Sequence, residues 1–564
     1  MQSTVVEGDD APPQVVIGET AAAAVEVPEL APPAVSEYNK SLPMGFVSPD
    51  KAFPTRDDVE VTEKEKIPVK KEDVKESRRV AMVEQVWRLY DAGMHQAATD
   101  LLHDRMEAFG GSSRPAFHFI GHEADGMNVN VSSGHHLNFL QAAGARHFKP
   151  KPPKDPEALK DLGRVAGLVT QHILEMVLLY GTLDKAAAMM EAWPDSYRSK
   201  KWAPQRFRKA MVDASIRMST VKASAKTGLP RPRNITLKLN EALAKVKPRL
   251  IMAAGDEGTL VHLFDAAIIE FSLFHLEAFE NRSIKHAGRD AKCKRMHQMM
   301  KKFRYCASMD FGAFDGSIDA EVRELVENRL VETLAQYYLP DSPLLEAAVT
   351  DRKKTEFVGY FKNWCVKTTN MIRESGDRGT SVFNYVTNFT LFVYGLFREH
   401  VHQVMCGTVR DKAGKVVTNK GHAKNIAEEY VRKWLQRPDE READIIGEGD
   451  DGSQFFSGAY YERANSATQT GSDGTPITFG DRWVSYYSDV GFSLEPQGPA
   501  GEVAPRLAVR ETRERLEFIS TIWVEAGDRV YCLPKPVKTV TGSCISFAVD
   551  CPKEVAAYTK VLSI

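Results

Sequence analysis

"READIIGEGDDGSQFF", residues 441–456, runs an apolar segment into a glycine-rich turn and out again toward Phe455 and Phe456. The pattern reads as a β-hairpin. Gly449 and Gly452 permit a tight backbone, and the tip sets Asp450 beside Asp451. Asp-Gly is also an ordinary hairpin turn sequence. Two adjacent carboxylates nevertheless repel each other unless a cation compensates them, so the tip is a candidate metal site.

A second acidic pair lies 140 positions upstream in "SMDFGAFDGSID", residues 308–319, where Asp310 and Asp315 follow the short β-type run "YCASM" (305–309). In-line phosphoryl transfer by two metal ions needs carboxylates from separate elements converging on cations about 3.5–4 Å apart. Asp310 and Asp450 are the pair expected to supply that bridge. Hard oxygen donors on an open site point to Mg2+ or Mn2+ and away from zinc.

Between the two acidic stretches, "RESGDRGTSVFNYVTNF" (373–389) opens with a pliable loop at Gly376 and Gly379 and enters an expected helix. Thr380, Asn384 and Asn388 fall at i, i+4 and i+8, so they share one face. A polar stripe on the otherwise apolar "VFNYVTNFTLFVYGLF" is expected to face a ligand or a wet cleft, since buried polar groups must find partners.

The chain has 564 residues, 43% of them apolar, enough for a large core or several domains. Its net charge of −2 hides a basic tract, with 24 Lys and Arg against 9 Asp and Glu over residues 198–304. Trp202 and Phe207 sit in that tract among Arg206, Arg208 and other cations, a composition suited to a polyanion such as RNA. The seven cysteines are scattered without Cys-x2-Cys spacing, which argues against a disulfide framework or a zinc module and fits a reducing compartment. There is no secretory signal pattern, and "ILEMVLLYGTL" (173–183) is too short to span a bilayer, so no transmembrane segment is expected.

Residues 1–80 are rich in Ala, Pro and charge and read as disordered; helical periodicity marks 81–109 and 161–193, joined by a Pro and Lys linker at 147–156. Beyond residue 230, β-type runs such as "RLIMAA" (249–254) and "ADII" (443–446) alternate with helical segments, which makes the fold class α+β. "GTVRDKAGKVVTNKGHAK" (407–424) reads as a polar hairpin insertion. His118 and His122 have half-site spacing but no third zinc ligand and read as core or surface histidines, and "SSGHHLNF" (132–139) is a minor candidate for the template path.

Taken in order, Asp-x4-Asp, Ser-Gly-x3-Thr-x3-Asn and Gly-Asp-Asp resemble motifs A, B and C of viral RNA-dependent RNA polymerases. The string "SGDRGTS" is most similar to positive-strand viruses of the tombusvirus-like and flavivirus-like group. The motifs cover residues 305–456, and weaker flanking matches extend the resemblance over roughly 230–545. It implies a right-hand fold of fingers, palm and thumb with an antiparallel palm sheet and a helical N-terminal region. The corresponding divisions are 81–304 for that region and the fingers, 305–514 for the palm, and 515–564 for a short or truncated thumb.

The resemblance further implies that Asp310 and Asp450 bind the catalytic metals, with Asp451 auxiliary. It implies that Asp315 and Asn384, assisted by Ser375, Gly376 and Thr380, sense the ribose 2′-hydroxyl. "LKLNEALAKVKPRLIMAAG" (237–255) resembles motif F, which places Lys247 and Arg249 over the incoming triphosphate and makes Lys238 and Lys245 RNA-binding candidates. "RLEFISTIW" (515–523) with Lys535 and Lys538 resembles motif E, a hairpin gripping the primer strand. The implied partners are an RNA template, the nascent strand, NTPs and other viral replication proteins, in the host cytoplasm on replication membranes reached through a partner. A reverse transcriptase and a noncatalytic RNA-binding replication subunit are the alternatives. The chain departs from the family in lacking any Lys from 434 to 534, where a motif D general acid is expected, and leaves Arg482 as a weak substitute.

Overall fold

The computed structural model describes residues 55–63, 136–180, 232–238, 249–253, 287–338, 343–362, 364–376, 379–467 and 474–494, with shorter pieces of 118–131, 242–285, 469–470 and 507–557. The elements that position the site are, in chain order, β1 (Val59–Glu63), α1 (Pro156–Tyr180), β2 (Arg233–Leu237), β3 (Leu250–Ala253), α2 (Arg289–Lys302) and β4 (Tyr305–Met309). They continue with β5 (Phe357–Phe361), β6 (Trp364–Thr368), α3 (Thr380–Met405), α4 (Lys420–Gln436), β7 (Ala443–Glu448), β8 (Asp451–Phe456) and α5 (Phe479–Ser488). Strands β9 (Arg510–Glu511), β10 (Leu516–Phe518), β11 (Thr521–Ala526) and β12 (Arg529–Pro534) complete them. The class is α+β, as the sequence leads one to expect.

The central sheet is antiparallel throughout, in the order β7-β8-β4-β9. Its strands are short apolar runs whose residues Ala443, Ile445, Ile446, Phe455, Phe456, Cys306 and Ala307 are buried. One face is covered by α3, a helix of 26 residues that is apolar almost all round and buried along nearly its whole length. Helices α1, α4 and α5 surround α3, and Phe392, Trp434, Trp483 and Phe456 meet there in edge and tilted ring contacts. The opposite face carries α2 and the β10-β11-β12 sheet through Met296, Met299, Phe303, Phe455 and Trp523.

A five-stranded sheet, β1-β6-β5-β2-β3, forms a second core with Phe139, Phe148, Leu250, Met252 and Phe361. Its β2–β5 pair is parallel and the other pairs are antiparallel. Strand β1 falls within the segment read from sequence as disordered. The alternation Val59, Val61 packs one face onto this core, and the Arg56 guanidinium donates to the Asn370 carbonyl at 2.5 Å.

Two further sequence expectations change. The "linker" 147–156 is a strap: His147 and Phe148 are buried, Lys151 hydrogen-bonds the Ser317 hydroxyl, and Lys154 pairs with Asp319 at 2.5 Å. These partners lie more than 160 positions away in the chain, so local composition carries no trace of them. The polar insertion 407–424 is only partly a turn. Asp411 and Lys415 close a tight loop, after which Asn419 caps α4 by accepting the His422 amide at 3.0 Å.

Among the described residues, Pro156–Leu179 is the one helix long and apolar enough to cross a membrane. Its buried side chains, Leu162, Val165, Val169, Ile173 and Val177 among them, belong to the main core.

Candidate active site

The tip of the β7–β8 hairpin is a two-residue turn. Glu448 faces Asp451 across the ladder, leaving Gly449 and Asp450 as the connection. Gly449 has φ +64°, and a glycine in the first turn position is what lets so short a connection follow the twist of its strands. Strand β4 lies on the other side of β8, with Met309 facing Gly452. One step further along that antiparallel register, Asp310 comes opposite Asp451. The acidic tips of segments 140 positions apart in sequence thus emerge at one end of adjacent strands.

Asn388 fixes the turn from beneath. Its amide donates to the Asp450 carbonyl at 3.1 Å and to the Gly449 carbonyl at 3.4 Å. Gly452 allows this approach, since a methyl there would stand 3.0 Å from the Asn388 nitrogen. One turn earlier on α3, Asn384 donates to Asp315 Oδ1 at 2.8 Å, and the Ser375 hydroxyl bonds the other carboxylate oxygen. Thr380 donates to the Glu374 carbonyl at 2.9 Å. The stripe foreseen on α3 therefore holds the turn, the Asp315 carboxylate and the loop before the helix. The Oδ1 atoms of Asn384 and Asn388 are buried and accept no hydrogen bond among the described residues.

Asp315 follows a constrained stretch. Ala313 lies in the left-handed region at φ 61°, ψ 55°, a conformation costing a non-glycine residue roughly 1–2 kcal/mol. Phe311 and Phe314 on either side of it pack on Phe492 and Tyr487, and the Gly312 amide bonds the Ser493 carbonyl at 2.8 Å. The sequence carried no signal for that backbone strain, which sits between the two candidate acids.

The loop carrying Ser375 and Gly376 is held by buried ion pairs that sequence reading left unassigned. Arg233 binds Glu374 at 2.5 Å, Arg373 pairs with Glu327, and Thr387 of α3 donates to Glu327 at 3.0 Å. The Met252 amide of β3 donates to the Ser375 carbonyl at 2.7 Å, so the strand following Arg249 is bonded directly to this loop. Gly376, at φ +106°, stands where a methyl would meet Ile251 at 2.8 Å.

Burial raises the pKa of Asp450, and the nearby Asp315 carboxylate raises it further, against the opposing charges of Arg146 and Arg249. Arg249 itself is exposed at the start of β3. Lys238 is exposed at the end of β2, its amide donating to the Arg249 carbonyl at 2.9 Å. Lys245, Lys247, Arg206, Arg208, Lys535 and Lys538 lie outside the described residues. Arg482 is not a free acid: its buried guanidinium grips Glu399 at 2.9 and 3.1 Å and donates to the Ala464 and Ile477 carbonyls. The segment read as motif E forms the antiparallel β10–β11 hairpin, extended by β12.

Among the described residues no three His, Cys, Asp or Glu side chains are gathered closely enough to form a ready-made metal cage. Mg2+ does not require one, because it is commonly held by one or two carboxylates with water and substrate phosphate completing an octahedron. Asp310 and the Gly449–Asp450 turn supply hard oxygen donors at one sheet end, and the raised Asp450 pKa marks a carboxylate whose ionised form a cation would favour. The residues fit such an ion. The chain matches no protein-family model and no curated protein.

Proposed function

We propose that the protein is a template-directed RNA polymerase that replicates a viral RNA genome by two-metal nucleotidyl transfer, on a right-hand fold whose palm is the β7-β8-β4-β9 sheet. One observation supports this reading above the others: three segments distant in sequence bring Asp310, the Gly449–Asp450 turn and an Asp315 held by Asn384 and Ser375 to the same place.

In the reaction the 3′-hydroxyl of the growing strand attacks the α-phosphate of an NTP. A new P–O bond forms, the bond to pyrophosphate breaks, and the hydroxyl proton passes to solvent. Divalent ions at Asp310 and Asp450 would activate the attacking oxygen and neutralise the leaving group. The chain's own contribution is positioning. Asn388 holds the Asp450 backbone, and the loop tied to β3 keeps Ser375 beside Asp315.

Sugar selection follows from the same hydrogen bonds. The Asp315 carboxylate and the Asn384 Oδ1, which accepts no hydrogen bond among the described residues, are acceptors suited to a ribose 2′-hydroxyl. A deoxyribose leaves the buried Asn384 Oδ1 without that donor, which is a physical basis for discrimination. Arg249, with its planar fork, suits the triphosphate.

Primer extension by the purified full chain with Mg2+, offering NTPs or dNTPs, tests the proposal. Extension with NTPs that Asp450→Ala abolishes supports it. A preference for dNTPs would indicate a reverse transcriptase, and RNA binding without extension a noncatalytic subunit; either result rejects the proposal.

A further inference from the structure

We propose that Arg146, contributed by the turn that leads into the 147–156 strap, is a second phosphate-binding side chain of this site, closing with Arg249 on the β- and γ-phosphates of the incoming nucleotide. The inference rests on the nucleotide-binding reading above and adds a residue outside every motif that the sequence singles out.

The turn Ala143–His147 that carries Arg146 is built against the turn that carries Asp315. A methyl on Gly316 would stand 2.5 Å from the His147 carbonyl oxygen and 2.9 Å from that of Arg146, so only a glycine lets the two backbones meet. The buried His147 ring accepts the Leu250 amide at 3.2 Å, coupling the strap to β3. Arg146 and Arg249 each immediately precede one partner in that bond, and both guanidinium charges act on His147 and on Asp450.

Downstream, Lys151 to Ser317 and Lys154 to Asp319 pin the strap again, so Arg146 stands on a fixed base. A triphosphate brings more negative charge than one exposed arginine can meet. A half-buried second guanidinium whose charge, like that of Arg249, reaches Asp450 adds a fork of donors at low entropic cost.

The test uses the full chain with Arg146→Gln, Arg146→Lys and Arg249→Gln, each checked for an unchanged melting profile. Three quantities are read: single-nucleotide extension kinetics, binding of inorganic pyrophosphate and of Mg-NTP by calorimetry, and RNA affinity at two salt concentrations. Arg146→Gln is expected to raise the KM for NTP and weaken pyrophosphate binding by about tenfold, the scale of one charge-assisted contact. kcat should change less, RNA affinity should stay within about twofold, and Arg146→Lys should recover part of the loss because it keeps the charge without the fork.

Unchanged NTP and pyrophosphate binding in Arg146→Gln overturns the inference. So does a loss of RNA affinity with a shallower salt dependence and an unaltered KM, which would make Arg146 a contact to the RNA backbone. The binding arm separates this inference from the polymerase reading. A parent that binds Mg-NTP without extending RNA removes the polymerase while leaving Arg146 to be judged by calorimetry, and a parent that does neither removes both.

Discussion

Replacing Asn384 with Ala removes the donor that orients the Asp315 carboxylate without touching either candidate metal ligand. The bond is 2.8 Å long and Asn384 is 3% exposed, so water cannot readily take over. A hydrogen bond to a charged group contributes about 1.5–3 kcal/mol, and among the described residues the Asp315 side chain would keep its Ser375 hydrogen bond. The deleted side chain also carries the buried Oδ1 acceptor, so a ribose hydroxyl loses both a direct partner and a correctly aimed carboxylate. kcat/KM for NTPs should therefore fall about 10- to 100-fold. dNTPs, which lack the hydroxyl that these groups would engage, should lose little. The assay is single-nucleotide extension with matched NTP and dNTP on one primer-template, read as the ratio of the two kcat/KM values. An equal loss on both substrates, which leaves the ratio unchanged, would refute the reasoning, since it would assign Asn384 to packing; no loss on either substrate would refute it equally.

Other perturbations address the frame around the site. Gly316→Ala should destabilise the fold by about 1–3 kcal/mol in thermal or denaturant unfolding, because the methyl meets a main-chain carbonyl that other contacts hold in place. Arg482→Met should cost about 3–5 kcal/mol by stranding the buried Glu399 carboxylate, and wild-type stability would remove Arg482 from its structural role. Burial, with the Arg146 and Arg249 charges adding to it against Asp315, lowers the His147 pKa from 6.5 to about 4. The unfolded chain therefore takes up a proton that the folded chain refuses, and this contribution, full above pH 6.5, is lost as pH falls toward 4. The loss is on the order of 3 kcal/mol, and His147→Gln should flatten that part of the stability profile.

The central hairpin was legible in sequence because its information is local. Apolar runs, Gly449 and Gly452 dictate where β7 and β8 turn, and the i, i+4, i+8 spacing of Thr380, Asn384 and Asn388 put them on one face of α3 before any partner was known. The partners themselves were partly legible, since Asp315 was paired with Asn384 and Ser375 through the order of motifs and not through periodicity. What escaped depends on contacts between remote positions. The His147–Leu250 bond spans 103 positions and ties an apparent Pro and Lys linker to β3. Strand β1 was hidden among acidic and proline-rich sequence because its only signal was the alternation of Val59 and Val61. Glu399 and Arg482 lie 83 positions apart, so nothing near Arg482 revealed that its charge was already committed.

Mn2+ binding read by electron paramagnetic resonance, with the full chain titrated in the presence of a non-hydrolysable NTP, tests the shared-ion site most directly. The account predicts about two bound ions per chain, with Asp310→Asn and Asp450→Asn each weakening the same pair. Stoichiometric binding that neither substitution alters, or no Mn2+ binding by a folded chain, would contradict it.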